Sequence, residues 1–270
     1  MKLSKLLNDC NVLSSGFPAI AALGEHSKGS TPVVLSSLPA AVLHSQGITE
    51  YYSLVLPRGT TFNTAEDIIK SDPEVKKYRI ETVDTAGMPK AITTQHQATL
   101  DVLAELYPDA EIISQRNADG TTRNLTPEDV AGKHVIGVLP PFLVAAAGAF
   151  TSASVAGYNA ATDGDLSGDA LKQRLQIADT ALKVTQIYKV VIGYMDTHDP
   201  RYGSVTEKEM TKKDLINWIT KESEECGKWG MGSHGIASVT IDRYHLNGSD
   251  WGWFSKEDDQ KLFDYVKSLA

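Results

Sequence analysis

The stretch HVIGVLPPFLVAAAGAF, residues 134–150, decides the fold. HVIGVL is a near-continuous apolar run, the pattern of a strand covered on both faces, and it passes through a Leu-Pro pair into an alanine-rich segment. An earlier stretch, VVLSSLPAAVL (33–43), has the same order of strand, Leu-Pro pair and alanine-rich helix, with Pro39 suited to the first turn and Gly47 to the terminus. The echo extends from FNTAEDI (62–68) to DLSGDAL (165–171), and from KKYRIETVD (76–84) to QIYKVVIGYMD (186–196). It fits either a duplicated half-domain or the pattern that any two strand–helix units share.

Outward from these stretches, ITEYYSLVLP (48–57), KKYRIETVD, AEIIS (110–114) and TQIYKVVIGYM (185–195) read as strands. NTAEDIIKS (63–71), opened by Asn63 or Thr64, residues 95–106, and LSGDALKQRLQIADTAL (166–182) read as helices. Strands separated by helices imply an α/β layered sheet with helices on both faces. All four tryptophans, Trp218, Trp229, Trp251 and Trp253, fall in the last fifth of the chain. That shift, with the turn-rich loop THDPRYGSVTEKE (197–209), divides the chain into an α/β domain over 1–196 and a small α+β extension over 197–270. The extension reads as a helix over KKDLINWITKESEE (212–225), a strand over IASVTIDRY (236–244) and a last helix capped by Ser255 with an acidic first turn.

The chain has 270 residues, 41% hydrophobic and 22% charged, enough for one large domain or two modest ones. Its start, LSKLLNDCNVL (3–13), lacks the apolar stretch and cleavage site of a secretory signal, so a cytoplasmic protein is expected. No stretch approaches the roughly 20 apolar residues a bilayer needs, so no membrane is expected either. Cys10 and Cys226 are the only cysteines, which signals neither a disulfide framework nor a cysteine zinc site; reduced thiols, no metal and no cofactor are expected. A formal charge of −8 argues against non-specific duplex nucleic acid, whose binding rests on neutralising many phosphates. It leaves room for a small anionic nucleotide in a locally basic or dipolar pocket.

In an open α/β sheet, ligands bind beyond the carboxyl ends of strands, where helix N-termini converge. Three places qualify: Ser36 and Ser37 after VVL, Pro140 and Pro141 after VIGVL, and Thr93, Thr94, Gln95 and His96 before a helix. Thr93 or Thr94 can cap that helix, leaving the other first-turn amides as an anion site. The helix dipole disfavours an imidazolium at His96 while the site is empty and a bound phosphate favours it, which would couple protonation to ligand arrival. A histidine so placed suits a general acid for an oxygen leaving phosphorus, and equally an ordinary surface histidine near a helix start.

Weaker constellations follow. Arg116 and Arg123 flank the loop NADGTTRN (117–124) and either reach over a ligand or face solvent, as does Arg58. Asp196, His198 and Asp199 in MDTHDP fit a turn better than a divalent-ion site. WGMGSHGIAS, around His234, lacks the spacing of a phosphate loop. Trp251 and Trp253 fit a core or dimer contact better than a base-stacking surface.

TTQHQATLDVLAEL (93–106) followed by EIISQRN (111–117) resembles the pattern of viral and CRISPR-associated ring nucleases, a histidine, a small residue, a threonine, a helix, then an Asn-Arg type pair. HVIGVLPPFLVAAA with DLSGDAL is similar to a second motif of that group, and the resemblance covers about residues 30–194. It implies a Rossmann-like homodimer of a prokaryotic or phage-infected cell that binds a cyclic oligoadenylate, cuts it without metal and so damps antiviral signalling. His96 matches the family histidine and Thr99 its threonine; Gln115, Arg116 and Asn117 fall at the pair, here in the order Arg-Asn. Gln95 stands where the family has glycine, and the tryptophan-bearing tail has no counterpart in its short members. Other readings are a sponge that holds a nucleotide messenger uncut, a glycosidase or deaminase acting on a mononucleotide, or an interaction protein working through its tail. The lack of a cysteine zinc signature weighs against the deaminase.

Overall fold

The computed structural model describes residues 1–56, 60–113, 123–157, 168–194, 203–227, 236–248 and 254–269, without the side chains of 223 and 225–227. Its first part comprises α1 (Leu3–Asp9), β1 (Cys10–Ser15), α2 (Pro18–Ala21), β2 (Thr31–Ser36), α3 (Ala40–Ser45), β3 (Glu50–Val55), α4 (Ala65–Ser71) and β4 (Glu74–Thr82). The second comprises β5 (Lys90–Thr93), α5 (Gln97–Leu106), β6 (Glu111–Ile112), α6 (Pro127–Val130), β7 (His134–Gly137), α7 (Pro141–Ala146), β8 (Ala149–Val155), α8 (Gly168–Arg174), β9 (Leu175–Ile177) and β10 (Leu182–Tyr194). The last comprises β11 (Val205–Thr211), α9 (Lys212–Gly227), β12 (Ile236–Ile241), β13 (Tyr244–Asn247) and α10 (Lys256–Ser268).

The chain is an α/β protein with a mixed, mostly parallel central sheet flanked by helices, ordered β1-β2-β3-β4-β10-β8-β7-β5-β6. β1, β2 and β3 are parallel, as are β8, β7, β5 and β6, while β3–β4, β4–β10 and β10–β8 are antiparallel. The two parallel sets therefore run in opposite directions. Read from either side, β1-β2-β3-β4 and β5-β7-β8-β10 match in order and relative direction, with β6 added at one edge. A two-fold axis between β4 and β10 requires that arrangement.

The local pieces repeat as well. α3 and α7 are both six residues long, and Pro39 and Pro140 are their N-caps, because a fixed φ suits the entry to a helix and costs no needed amide. α4 and α8 are both seven residues long and precede the antiparallel strand of their half. The amide of Ser37 donates to the Ser15 carbonyl at 3.3 Å, and that of Val138 donates to the Thr93 carbonyl at 3.0 Å, joining equivalent strand ends. The KKYRIETVD–QIYKVVIGYMD echo is out of register, however. Tyr51 of β3 faces Tyr78, whereas Phe150 of β8 faces Leu182, so Leu182 and not Tyr188 is the counterpart of Tyr78.

Alternation along the strands sets the layers. One face of the sheet, with Tyr51, Tyr78, Ile80, Val135, Phe150 and Val184, packs against α3 and α7. On the other, Val12, Tyr52 and Val75 meet α1, α2 and α4, and Ile92, Ile136 and Ala153 meet α5. β10 is shared: its first half pairs with β4, and its second half pairs with β11 and β12. Tyr188, Val190, Ile192 and Tyr194 thereby join Leu215, Val239, Phe254 and Leu262 in a further core under α9 and α10.

Several sequence expectations change. Of the helix expected over 166–182, the described residues are helical over Gly168–Arg174; LQI (175–177) pairs with β8, and β10 begins at Leu182. VTEKEMT, whose first part was expected in a loop, is β11 on the flank of β10. The elements before residue 31, β5, α6, β8 and β13 carried no expectation. Thr64 caps α4, its hydroxyl accepting from the Asp67 amide at 3.2 Å, and Ser255 caps α10 in a reciprocal pair with Asp258. No helix among the described residues is long and apolar enough to cross a membrane.

Candidate functional site

β5 ends in Ile92 and Thr93, both fully buried, and the chain then turns outward through Thr94 and Gln95 to His96. His96 itself is the N-cap of α5, exposed, with extended backbone (φ −97°, ψ 117°) and no capping bond from its ring. Thr94 supports it: its buried hydroxyl accepts the His96 amide at 3.3 Å. Neither threonine caps α5, contrary to expectation, because the chain passes the Thr93 side chain inward. Its hydroxyl donates to the Ile113 carbonyl at 2.8 Å and braces the segment after β6 against β5.

A cleft of about 1030 Å³ opens beside this junction. Thr94, Gln95, His96 and Pro140 line it, together with Lys76 and Tyr78 of β4, the end of β3, residues 123–125 and the first turn of α7. The β7–α7 junction reaches the cleft through Gly137, whose φ is +139° and whose added Cβ would lie 1.9 Å from the Thr93 carbonyl oxygen. Only glycine allows that approach. Pro140 and Pro141 occupy the N-cap and first position of α7, so two of the amides a helix start would offer are missing there.

The other expected residues do other work. Ser36 is buried and accepts from the Ser15 hydroxyl at 2.8 Å and the Leu38 amide at 3.0 Å; Ser37 accepts from the Phe17 amide at 3.0 Å. Both hold the β1 and β2 ends together and neither lines the cleft. Thr99 is on the buried face of α5, also outside the lining. Gln115, Arg116, Asn117, Arg58, Asp196, His198, Asp199, His234, Trp229, Trp251 and Trp253 lie outside the described residues.

Charge distinguishes the cleft from the rest of a chain of net charge −8. Its lining carries Lys76, Arg123 and His96 and, among the described residues, no carboxylate. Arg123 donates to Asp129 at 2.5 Å, which ties the arginine to α6. Asp129 is held below the usual carboxylate range by its bond from the Thr126 amide and by Arg123. Lys76, Tyr78 and Phe142 were not anticipated. Lys76 had a signal: in EVKKYRIET it shares the strand face of Tyr78 and Ile80, an unusual place for a charge.

Among the described residues, no group of three or more His, Cys, Asp or Glu side chains could hold a metal ion. No family model, curated protein or solved structure matches the chain.

Proposed function

We propose that the cleft binds a cyclic oligonucleotide messenger of the cyclic oligoadenylate class, and that His96 serves its cleavage. The observation that carries this reading is a cleft lined by Lys76, Arg123 and an exposed His96, with no carboxylate among the described residues of its lining. Its volume of about 1030 Å³ is at the top of the usual range for small-ligand sites, roughly 300–1,000 Å³. That favours a ligand larger than a mononucleotide.

In the proposed reaction, a ribose 2′-oxygen attacks the adjacent phosphorus in line. A 2′-O–P bond forms, the P–O5′ bond breaks, the 2′-hydroxyl proton passes to solvent, and the departing 5′-oxygen takes a proton from His96. The ring opens to a linear chain ending in a 2′,3′-cyclic phosphate and a 5′-hydroxyl. The protein orients the ring and stabilises charge on the phosphorane oxygens. Damping of a signal in the cytoplasm of a prokaryotic or phage-infected cell would follow.

The resemblance implies a homodimer. The strand order places two similarly arranged halves within one chain, so the reading takes one chain as the unit that carries the cleft. Sedimentation with and without ligand distinguishes the two assemblies.

The test is incubation with cyclic di-, tri-, tetra- and hexa-adenylates and identification of products by mass. Linear products with cyclic phosphate ends support the reading. Rings bound but recovered intact after unfolding support a sponge, and rings neither bound nor cut end the proposal.

A further inference from the structure

Lys76 is half-buried in the cleft and makes no ion pair or hydrogen bond among the described residues. Its neighbours differ. Lys77, on the opposite face of β4, contacts Glu50 at 2.8 Å and Glu209 at 2.6 Å, and Arg79 contacts Glu50 at 2.9 Å. Arg123, across the cleft lining, is engaged by Asp129. The Asp242 carboxylate feels the Lys76 charge only at a distance, and an ammonium partly removed from water with no direct ion pair can take an anion.

The same cleft exposes apolar surface that the fold elsewhere buries. Phe142 is 53% exposed, Val138 51% and Val55 41%, and all three are among its lining residues. Phe142 owes its position to the two prolines before it, which turn the chain into α7 and leave the ring on the first turn. A cation and an exposed aromatic ring lining one cleft complement a ligand with both an anionic group and a flat apolar one.

We infer that Lys76 grips a phosphate of the bound nucleotide and Phe142 stacks on one of its bases. The inference rests on the proposed nucleotide reading and adds how the ligand is recognised. Both residues act on affinity, and neither donates a proton in the reaction.

The experiment is calorimetric titration of the full chain with cyclic tetra-adenylate, adenosine 5′-monophosphate and adenosine, at two or more salt concentrations. Lys76→Gln should weaken the two phosphate-bearing probes by about ten- to a hundredfold. It should also flatten the log–log salt dependence by about 0.7 per lost phosphate contact. Lys76→Arg should restore both, which a loss of folding would not allow. Phe142→Ala should weaken all three probes by about five- to a hundredfold and leave the salt slope unchanged. Adenosine should be insensitive to Lys76→Gln.

If the wild type binds the nucleotides and both variants match it, this inference falls while the nucleotide reading stands. If the wild type binds no nucleotide, the reading falls and takes the inference with it. Dodecanoate tested in parallel separates the remaining amphipathic anion: tight binding of it, in competition with the nucleotides and dependent on Lys76, would assign the apolar wall to an acyl chain and overturn the base-stacking role.

Discussion

Ile80 of β4 faces Val184 of β10 at the centre of the sheet, and both are almost completely buried. The pairing around them runs from Thr82–Leu182 to Lys77–Ile187, so the contact between the two halves is antiparallel and centred on this pair. The repeat read from the Leu-Pro motifs thus has a physical counterpart: each half contributes three parallel strands and one antiparallel strand, and the antiparallel strands meet. Neither half can bury that strand alone.

Ile80→Ala should therefore destabilise the whole assembly, by about 2–5 kcal/mol, the usual range for truncating a fully buried isoleucine. Denaturant unfolding followed by fluorescence and by far-ultraviolet circular dichroism should move together in one transition. Separate transitions would show that the tryptophan-bearing tail unfolds apart from the sheet, and an Ile80→Ala variant as stable as the wild type would make the β4–β10 seam a contact of minor weight.

The parts legible in the sequence are those set by short-range chemistry. Thr64 and Ser255 announce helix starts because a hydroxyl can satisfy a free amide, and Pro39 and Pro140 because their φ is already helical. β8, AFTSASV, escaped because its alanines and serines carry little strand signal; pairing with β7 makes it a strand. The helical spacing through LQIADTAL was overridden in the same way by pairing with β8. Pro140 was legible as a strand-to-helix junction and Thr94 and His96 as a helix start, whereas Lys76 reaches the cleft only through the order of strands, which no local pattern states. Ser36 and Ser37 stand apart from the cleft for a local reason, since β1 supplies Ser15 and the turn after it the Phe17 amide as nearer partners.

Gly137→Ala should disrupt the cleft. The new Cβ would meet the Thr93 carbonyl at 1.9 Å in a backbone conformation that only glycine adopts readily, and both strands there are buried. Expected is poor soluble yield or a loss of several kcal/mol, since backbone must move to relieve the contact. A variant with wild-type melting temperature and intact ligand binding would contradict this account of the β5–β7 junction.

Lys183 closes the other end of α7. Its ammonium donates to the carbonyls of Ala145, at 3.3 Å, and Ala147, where the helix dipole is negative. Lys183→Met keeps an aliphatic stem at this half-buried position but removes both bonds. The expected loss is about 1.5–3 kcal/mol, read as a lower urea midpoint with unchanged slope. An unchanged midpoint would mean that solvent replaces the cation without cost.

His134 predicts a pH dependence. Its ring is buried, one nitrogen lies 2.8 Å from the Thr151 hydroxyl, and the other, Nδ1, has no partner among the described residues. Burial, and secondarily the charge of Lys90, holds its pKa below the ordinary 6.5. Below about pH 6.5 the unfolded chain therefore takes up a proton that the folded chain refuses. The contribution of this site is complete above that pH and is lost as pH falls toward the folded value, at no more than about 1.4 kcal/mol per pH unit. Melting temperatures from pH 7 to pH 5 should fall less steeply in His134→Gln than in the wild type. Parallel curves would show that the imidazole is protonated in the fold as readily as outside it.

His96 and Thr94 should separate chemistry from support. His96→Ala removes the proposed proton donor from an exposed position without touching the core, so ring binding should persist while cleavage falls by about 10²–10⁴-fold. His96→Gln, which hydrogen-bonds but cannot donate a proton as an acid, should be equally slow. Thr94→Val removes only the acceptor for the His96 amide, within a buried side chain of the same shape. It should lower the rate more modestly, because the imidazole is still present but less well held. The expected order, measured as single-turnover rates at saturating cyclic tetra-adenylate, is wild type, then Thr94→Val, then the two His96 variants. If His96→Ala loses binding and cleavage together, or if Thr94→Val is as slow as His96→Ala, the histidine organises the junction and does not act as an acid.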